Sequence, residues 1–121
     1  MDDLKLCESD HRFMTLIWDA EPVSSRQLVE LADVQLGWKK STTYTVLKKM
    51  VDRGFARNED SCVTSLIPRQ QVQAFESHRV VDRAFAGSLP RFLTAFMGDR
   101  KLTKEEADEL MALIRDHREE V

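Results

Sequence analysis

The stretch GWKKSTTYTVLKKMVDRG, residues 37–54, decides the fold, because its apolar and polar residues separate cleanly on a helical projection. At about 100° per residue, Thr43, Val46, Leu47 and Met50 fall on one side, and Ser41, Thr45, Lys48 and Lys49 fall opposite, flanked by Thr42 and Tyr44. From Gly37 to Asn58 six bases (Lys39, Lys40, Lys48, Lys49, Arg53, Arg57) stand against one acid, Asp52, a local charge of six minus one, +5, on a chain of net charge −3. Hydroxyls suit base edges and phosphate oxygens, and lysines add the sequence-independent attraction to a polyanion. The face therefore reads as one built to touch duplex DNA. The competing reading is a solvated helix on an ordinary domain, but such a face would mix signs in i,i+4 pairs, and this one is read as not doing so.

Working outward, Phe13, Leu16 and Ile17 recur at helical spacing between Glu8 and Asp19, and Glu21-Pro22 breaks the segment, which gives a first helix. Ser24 followed by Gln27 is a capping-box pattern ahead of Leu28, Leu31 and Ala32, so a second helix runs to about Val34 or Leu36 and stops at Gly37. The third helix starts near Lys39 to Ser41 and stops at Gly54. Phe55 to Asn58 and Cys62 to Leu66 then read as two short strands around the turn Asn58-Glu59-Asp60-Ser61. Three helices and a small hairpin make a winged helix-turn-helix, in which the second helix of the pair enters the major groove.

Pro68 suits the first turn of a fourth helix ending at Gly87, Ser88 and Pro90 start a fifth ended by Gly98, and Thr103 with Glu106 caps a sixth. These helices carry Phe75, Phe85, Leu89, Phe92, Leu93 and Phe96, then Leu110, Met111 and Ile114. They are too few and too short to enclose a separate core, so a second copy of the chain is expected to cover the stripe. The alternative is that it packs back on the first domain. The expected fold class is mainly α: a winged helix-turn-helix domain over residues 1–69 and a helical dimerisation domain over residues 70–121.

A chain of 121 residues, 42% hydrophobic, supports one domain or two small units without staples. Cys7 and Cys62 match neither a disulfide framework nor a thiolate metal site, so they are expected to be small buried or half-buried residues in a reducing cytoplasm. No apolar run reaches the roughly 18 residues that span a bilayer, and the start MDDLK lacks the layout of a signal peptide, so no membrane insertion is expected. His11, His78 and His117 lack metal-ligand spacing, no glycine-rich loop could cradle a phosphate, and the acids sit in helix-start or solvated positions. No enzyme, cofactor or metal is expected. From Asp99 to Val121 eight acids face five bases, so the basic middle is followed by an acidic tail.

The chain resembles the penicillinase-repressor family, the BlaI/MecI/CopY type of bacterial transcriptional regulator, over almost its whole length. The resemblance rests on FMTLIW at 13–18, Trp38 before KKSTTYTVLKKM at 39–50, RGF at 53–55, AFAGS at 84–88 and LTKEEADEL at 102–110. It implies a homodimeric winged-helix repressor on a palindromic operator. Thr42 and Thr45 then look like the base-reading hydroxyls, and Ser41, Lys48 and Lys49 like neighbouring base or phosphate contacts. Lys39 and Lys40 stand at the start of the same helix. Tyr44 stands where some members have arginine, offering one phenol in place of a charged fork. Trp18 and Trp38 are expected to pack between helices.

Other features depart from the family. The wing is shorter than in the best-known members and tipped by Glu59 and Asp60, which leaves Arg57 as its phosphate candidate. A membrane sensor protease is the inducing partner the resemblance suggests; penicillin-responsive members are cut before a phenylalanine, commonly after asparagine. The matching bond here is Ala95-Phe96, without the asparagine, so Phe96 is read as a dimer-core residue. Copper sensing is not expected, since the sequence ends REEV without a cysteine-rich tail. Two rivals stay open: a winged helix that binds protein, and a regulator with a small ligand between its halves.

Overall fold

Phe13, Met14, Leu16 and Ile17 fall on one face of α1 (Glu8–Ala20), and all four are buried in the computed structural model, which describes residues 4–120. Ser24 caps α2 (Ser25–Leu36) with both halves of the capping box, its Oγ accepting from Gln27 N and its own N–H donating to the Gln27 side chain. Gly37 closes α2 in the left-handed conformation, φ 69°, which a residue with a Cβ rarely adopts. Then α3 (Lys40–Asp52) buries Thr43, Leu47 and Met50. Phe13 and Leu28 from the first two helices complete this core with Phe55, Val63 and Val72. Trp38 stacks on Phe13 with ring centroids 5.7 Å apart, and the Trp18 indole N–H donates to the Ile67 carbonyl at 3.0 Å, so both tryptophans pack between elements as expected.

The wing is more than a hairpin. Strand β2 (Ala56–Glu59) pairs antiparallel with β3 (Cys62–Ser65), and β3 also pairs with a two-residue strand β1 (Val23–Ser24), in the order β1-β3-β2. Val23 faces Val63 and Ser24 faces Cys62, so the sheet is stitched to the loop between α1 and α2. Glu21 reinforces this, its Oε1 accepting from the Ser65 backbone N–H at 2.8 Å and from Ser65 Oγ at 2.9 Å. The turn is tighter than the four residues expected: β2 and β3 are joined by Asp60 and Ser61, both at positive φ (51° and 64°), the pattern of a two-residue hairpin turn that matches strand twist.

Helix α4 (Arg69–Ala84) follows, then α5 (Leu89–Met97) and α6 (Lys104–Asp116). Val72 of α4 is wholly buried in the core of the first unit, and that unit extends to Val80. The second begins at Val81. Ser88 caps α5 by accepting from Arg91 N, and Thr103 caps α6 by accepting from Glu106 N. No residue of α5 or α6 is buried. Cys7 and Cys62 are both exposed, which corrects the expectation of buried or half-buried cysteines: Cys7 precedes the first turn of α1, and Cys62 lies on the side of β3 opposite the buried Val63.

Candidate nucleic-acid interface

The first unit delivers α3 to the surface with one face committed. Thr43, Leu47 and Met50 are buried, whereas Ser41, Thr42, Tyr44, Thr45, Lys48 and Lys49 are exposed, with Lys39 and Lys40 exposed at the start of the helix. Lys39 occupies the N-cap with no side-chain hydrogen bond, and no acid stands in the first turn. The free N–H groups and the positive end of the helix dipole thus share this end with two lysines. That arrangement disfavours an isolated helix and favours an anion beside it.

The cations farther along are not free, which corrects the reading of an unmixed basic face. Lys48 Nζ lies 2.9 Å from Asp52 Oδ2, an i,i+4 pair legible in the spacing. Lys49 Nζ lies 2.6 Å from Asp10 Oδ2, a carboxylate from the first turn of α1 whose side chain is only 4% exposed. The hydrogen bond to Asp10, joined by the charge of that carboxylate, raises the Lys49 pKa above its ordinary value against the opposing effects of desolvation and of the Arg53 charge. On the wing, Arg57 Nε sits 3.5 Å from Glu59 Oε1. Asp52 and Glu59 are therefore part of this surface, the buried Asp10 supports it through Lys49, and none of the three had a partner expected from the sequence. Arg53, past the end of α3, donates to the Lys5 carbonyl at 2.8 Å and lies over the Phe55 ring.

The hydroxyls are differently placed. Thr45 Oγ1 donates to the Ser41 carbonyl at 2.9 Å, so in this state it offers outward only its acceptor capacity. No side-chain hydrogen bond is recorded for Ser41, Thr42 or Tyr44 among the described residues.

A compact three-helix unit with a three-stranded wing and an exposed second helix of the pair is the setting in which a family match carries weight. The profile described as penicillinase repressor matches residues 6–116. The chain belongs to the penicillinase repressor family. Methicillin resistance regulatory protein MecI of Staphylococcus aureus is 20% identical over 114 residues, covering 91% of this chain and 93% of that protein. Penicillinase repressor of Bacillus licheniformis is 19% identical over 118 residues, covering 94% and 92%. As a member of the penicillinase repressor family, the protein is a DNA-binding transcriptional regulator and not an enzyme.

In this penicillinase repressor family member the second unit has an apolar surface of its own. The Phe85 and Phe92 rings meet edge to face at 5.5 Å, Phe92 stacks with Phe96 at 5.8 Å, and Arg100 lies over Phe96. Leu89, Phe96, Met111 and Ile114 are exposed; Phe85, Phe92, Leu93 and Leu110 are half-buried. Phe75, on the part of α4 that belongs to the first unit, is half-buried under Arg79. A groove of about 450 Å³ runs between α5 and α6, lined by Leu93, Phe96, Met97, Leu102, Leu110 and Leu113 together with the acidic Glu106 and Glu109. No helix among the described residues is long and apolar enough to cross a membrane.

Proposed function

We propose that the protein is a homodimeric cytoplasmic repressor that reads a palindromic operator through α3. The observation that carries this reading is the division of α3: Thr43, Leu47 and Met50 locked in the core, and Ser41, Thr42, Tyr44 and Thr45 presented to solvent beside Lys39, Lys40 and Lys48. Thr42 and Thr45 read base edges, while the lysines, with Arg57 on the wing, contact phosphates. Lys48 and Arg57 exchange their carboxylate partners for phosphate oxygens on binding. Two copies are joined through α5 and α6, whose residues have no buried position in one chain. Fully burying one of their large apolar side chains is worth about 1.5–3 kcal/mol, so several together offset the entropy of association. The homologues named for methicillin resistance and penicillinase support repression as the sense of regulation. A membrane sensor with a protease domain is the inducing partner this family reading suggests.

The test is binding by the full chain to duplexes selected from a random library against shuffled duplexes of equal composition, alongside sedimentation at micromolar concentration. Tighter binding of a selected duplex by a dimer supports the proposal. Equal, weak affinity for both duplexes points instead to a protein-binding winged helix, and a micromolar monomer removes the dimer.

A further inference from the structure

The buried Thr43, Leu47 and Met50 seat α3 on the core and set its rotation coarsely, and contacts on the flank of the helix fix it finely. Among the described residues, Lys49 and Arg53 tie one flank of α3 to the chain ahead of it with directional contacts. Lys49 Nζ reaches the buried Asp10 carboxylate of α1 at 2.6 Å, and one turn farther on Arg53 donates to the Lys5 carbonyl at 2.8 Å. The chain between Lys5 and Asp10 is itself anchored, since Leu4 and Leu6 pack against the core. By contrast, the Lys48 pair with Asp52 lies within α3 and constrains nothing outside it.

We propose that Asp10 is a positioning residue for DNA recognition: through Lys49 it fixes the roll of α3, and Lys49 is a strut to α1 and not a phosphate contact. The inference rests on the reading of α3 as the DNA-reading helix. At about 100° per residue, Lys49 lies roughly 20° around the helix from Thr42 and roughly 40° from Thr45, so the strut acts on the same side as both hydroxyls. A side-chain atom about 5–6 Å from the helix axis moves about 2 Å when the helix rolls by roughly 20°. That displacement breaks a hydrogen bond to a base edge. The tie is also hard to release by exchange with phosphate. Asp52, at 62% side-chain exposure, can be rehydrated when Lys48 leaves, whereas Asp10, at 4%, would remain as an unpaired buried charge.

The experiment uses the full chain, a duplex selected from a random library by the unaltered protein, and a shuffled duplex. Asp10→Asn should lower affinity for the selected duplex about tenfold, the loss of one base contact, while affinity for the shuffled duplex stays within about twofold. The double variant Asp10→Leu with Lys49→Met replaces the pair by packed apolar groups, which buried pairs often tolerate. It should regain discrimination and keep the slope of log K against log salt. A slope lower by about one on both duplexes in the double variant would show that Lys49 is a phosphate contact and overturn the proposal. So would an unchanged preference in Asp10→Asn. If Asp10→Asn does not fold, the double variant alone decides.

If selection with the unaltered protein recovers no preferred duplex, the repressor reading fails, and the strut is judged without DNA. Amide exchange at Lys49 to Arg53 should then accelerate in Asp10→Asn, and unchanged exchange there refutes the strut.

Discussion

Lys48 offers a prediction in which structure and counterion theory give opposite signs for two neighbouring substitutions. Its side chain is 78% exposed on α3, and its ammonium is 2.9 Å from Asp52, so a phosphate that takes Lys48 must take it from that carboxylate. An exposed i,i+4 pair contributes only about 0.3–0.5 kcal/mol, whereas a phosphate contact that adds about 0.9 to the salt slope is worth about 1 kcal/mol at roughly 0.15 M salt. Phosphate therefore wins the exchange. Lys48→Ala should lower the slope by about 0.9; over a fourfold salt range, about 50 to 200 mM, that is roughly threefold less salt sensitivity on any duplex. Asp52→Asn should do the reverse, removing a competitor and a charge that repels phosphate, and raise affinity about two- to fivefold with the slope unchanged. Fluorescence anisotropy of a labelled duplex across a salt series measures both. An unaltered slope in Lys48→Ala, or weaker binding in Asp52→Asn, would refute the reasoning.

Three further outcomes are expected. Leu47→Ala should destabilise the first unit by about 2–5 kcal/mol in urea unfolding, since Leu47 is buried between α3 and the rest of the core; a loss below about 1 kcal/mol would remove it from that core. The Asp10–Lys49 pair gives a pH signature: with the Lys49 pKa raised in the folded state, its stabilisation is complete below the unfolded lysine value, about 10.4, and is lost as pH rises through the higher folded value. The urea-midpoint gap between the unaltered protein and Asp10→Asn should hold from neutral pH to about pH 9 and narrow above about pH 10.5, and a gap that widens there contradicts the assignment. The Ala95-Phe96 bond lies inside α5 and lacks a preceding asparagine, so mass spectrometry of protein from native cells given a cell-wall antibiotic should find the chain intact. Fragments ending at Ala95 would overturn that expectation.

The helices were legible because their signals are local. Apolar residues at helical spacing, the Ser24/Gln27 box and Gly37 bound the first two helices, and the structure keeps them within a residue or two. Strand β1 was not legible, since two residues cannot show a period of two and Ser24 already reads as a cap. The tie between Asp10 and Lys49 joins positions 39 residues apart, and no pattern along the chain announces it. Lys48 and Asp52 are different: their i,i+4 spacing was in view, and the sum of charges over the segment hid it. The cysteines were misplaced because residue type gives only an average burial, whereas Cys62 is exposed by strand alternation, with Val63 taking the inward side.

Sequence-specific recognition by α3 is tested most directly by selecting duplexes from a random library with the unaltered protein and with the double variant Thr42→Ala and Thr45→Ala. The unaltered protein should enrich a palindrome whose half-site centres lie about 34 Å apart, one helical turn, or a multiple of it. The variant should lose that motif while retaining weak, salt-sensitive affinity for any duplex. Enrichment of no motif by the unaltered protein, or of the same motif by both proteins, would contradict the account.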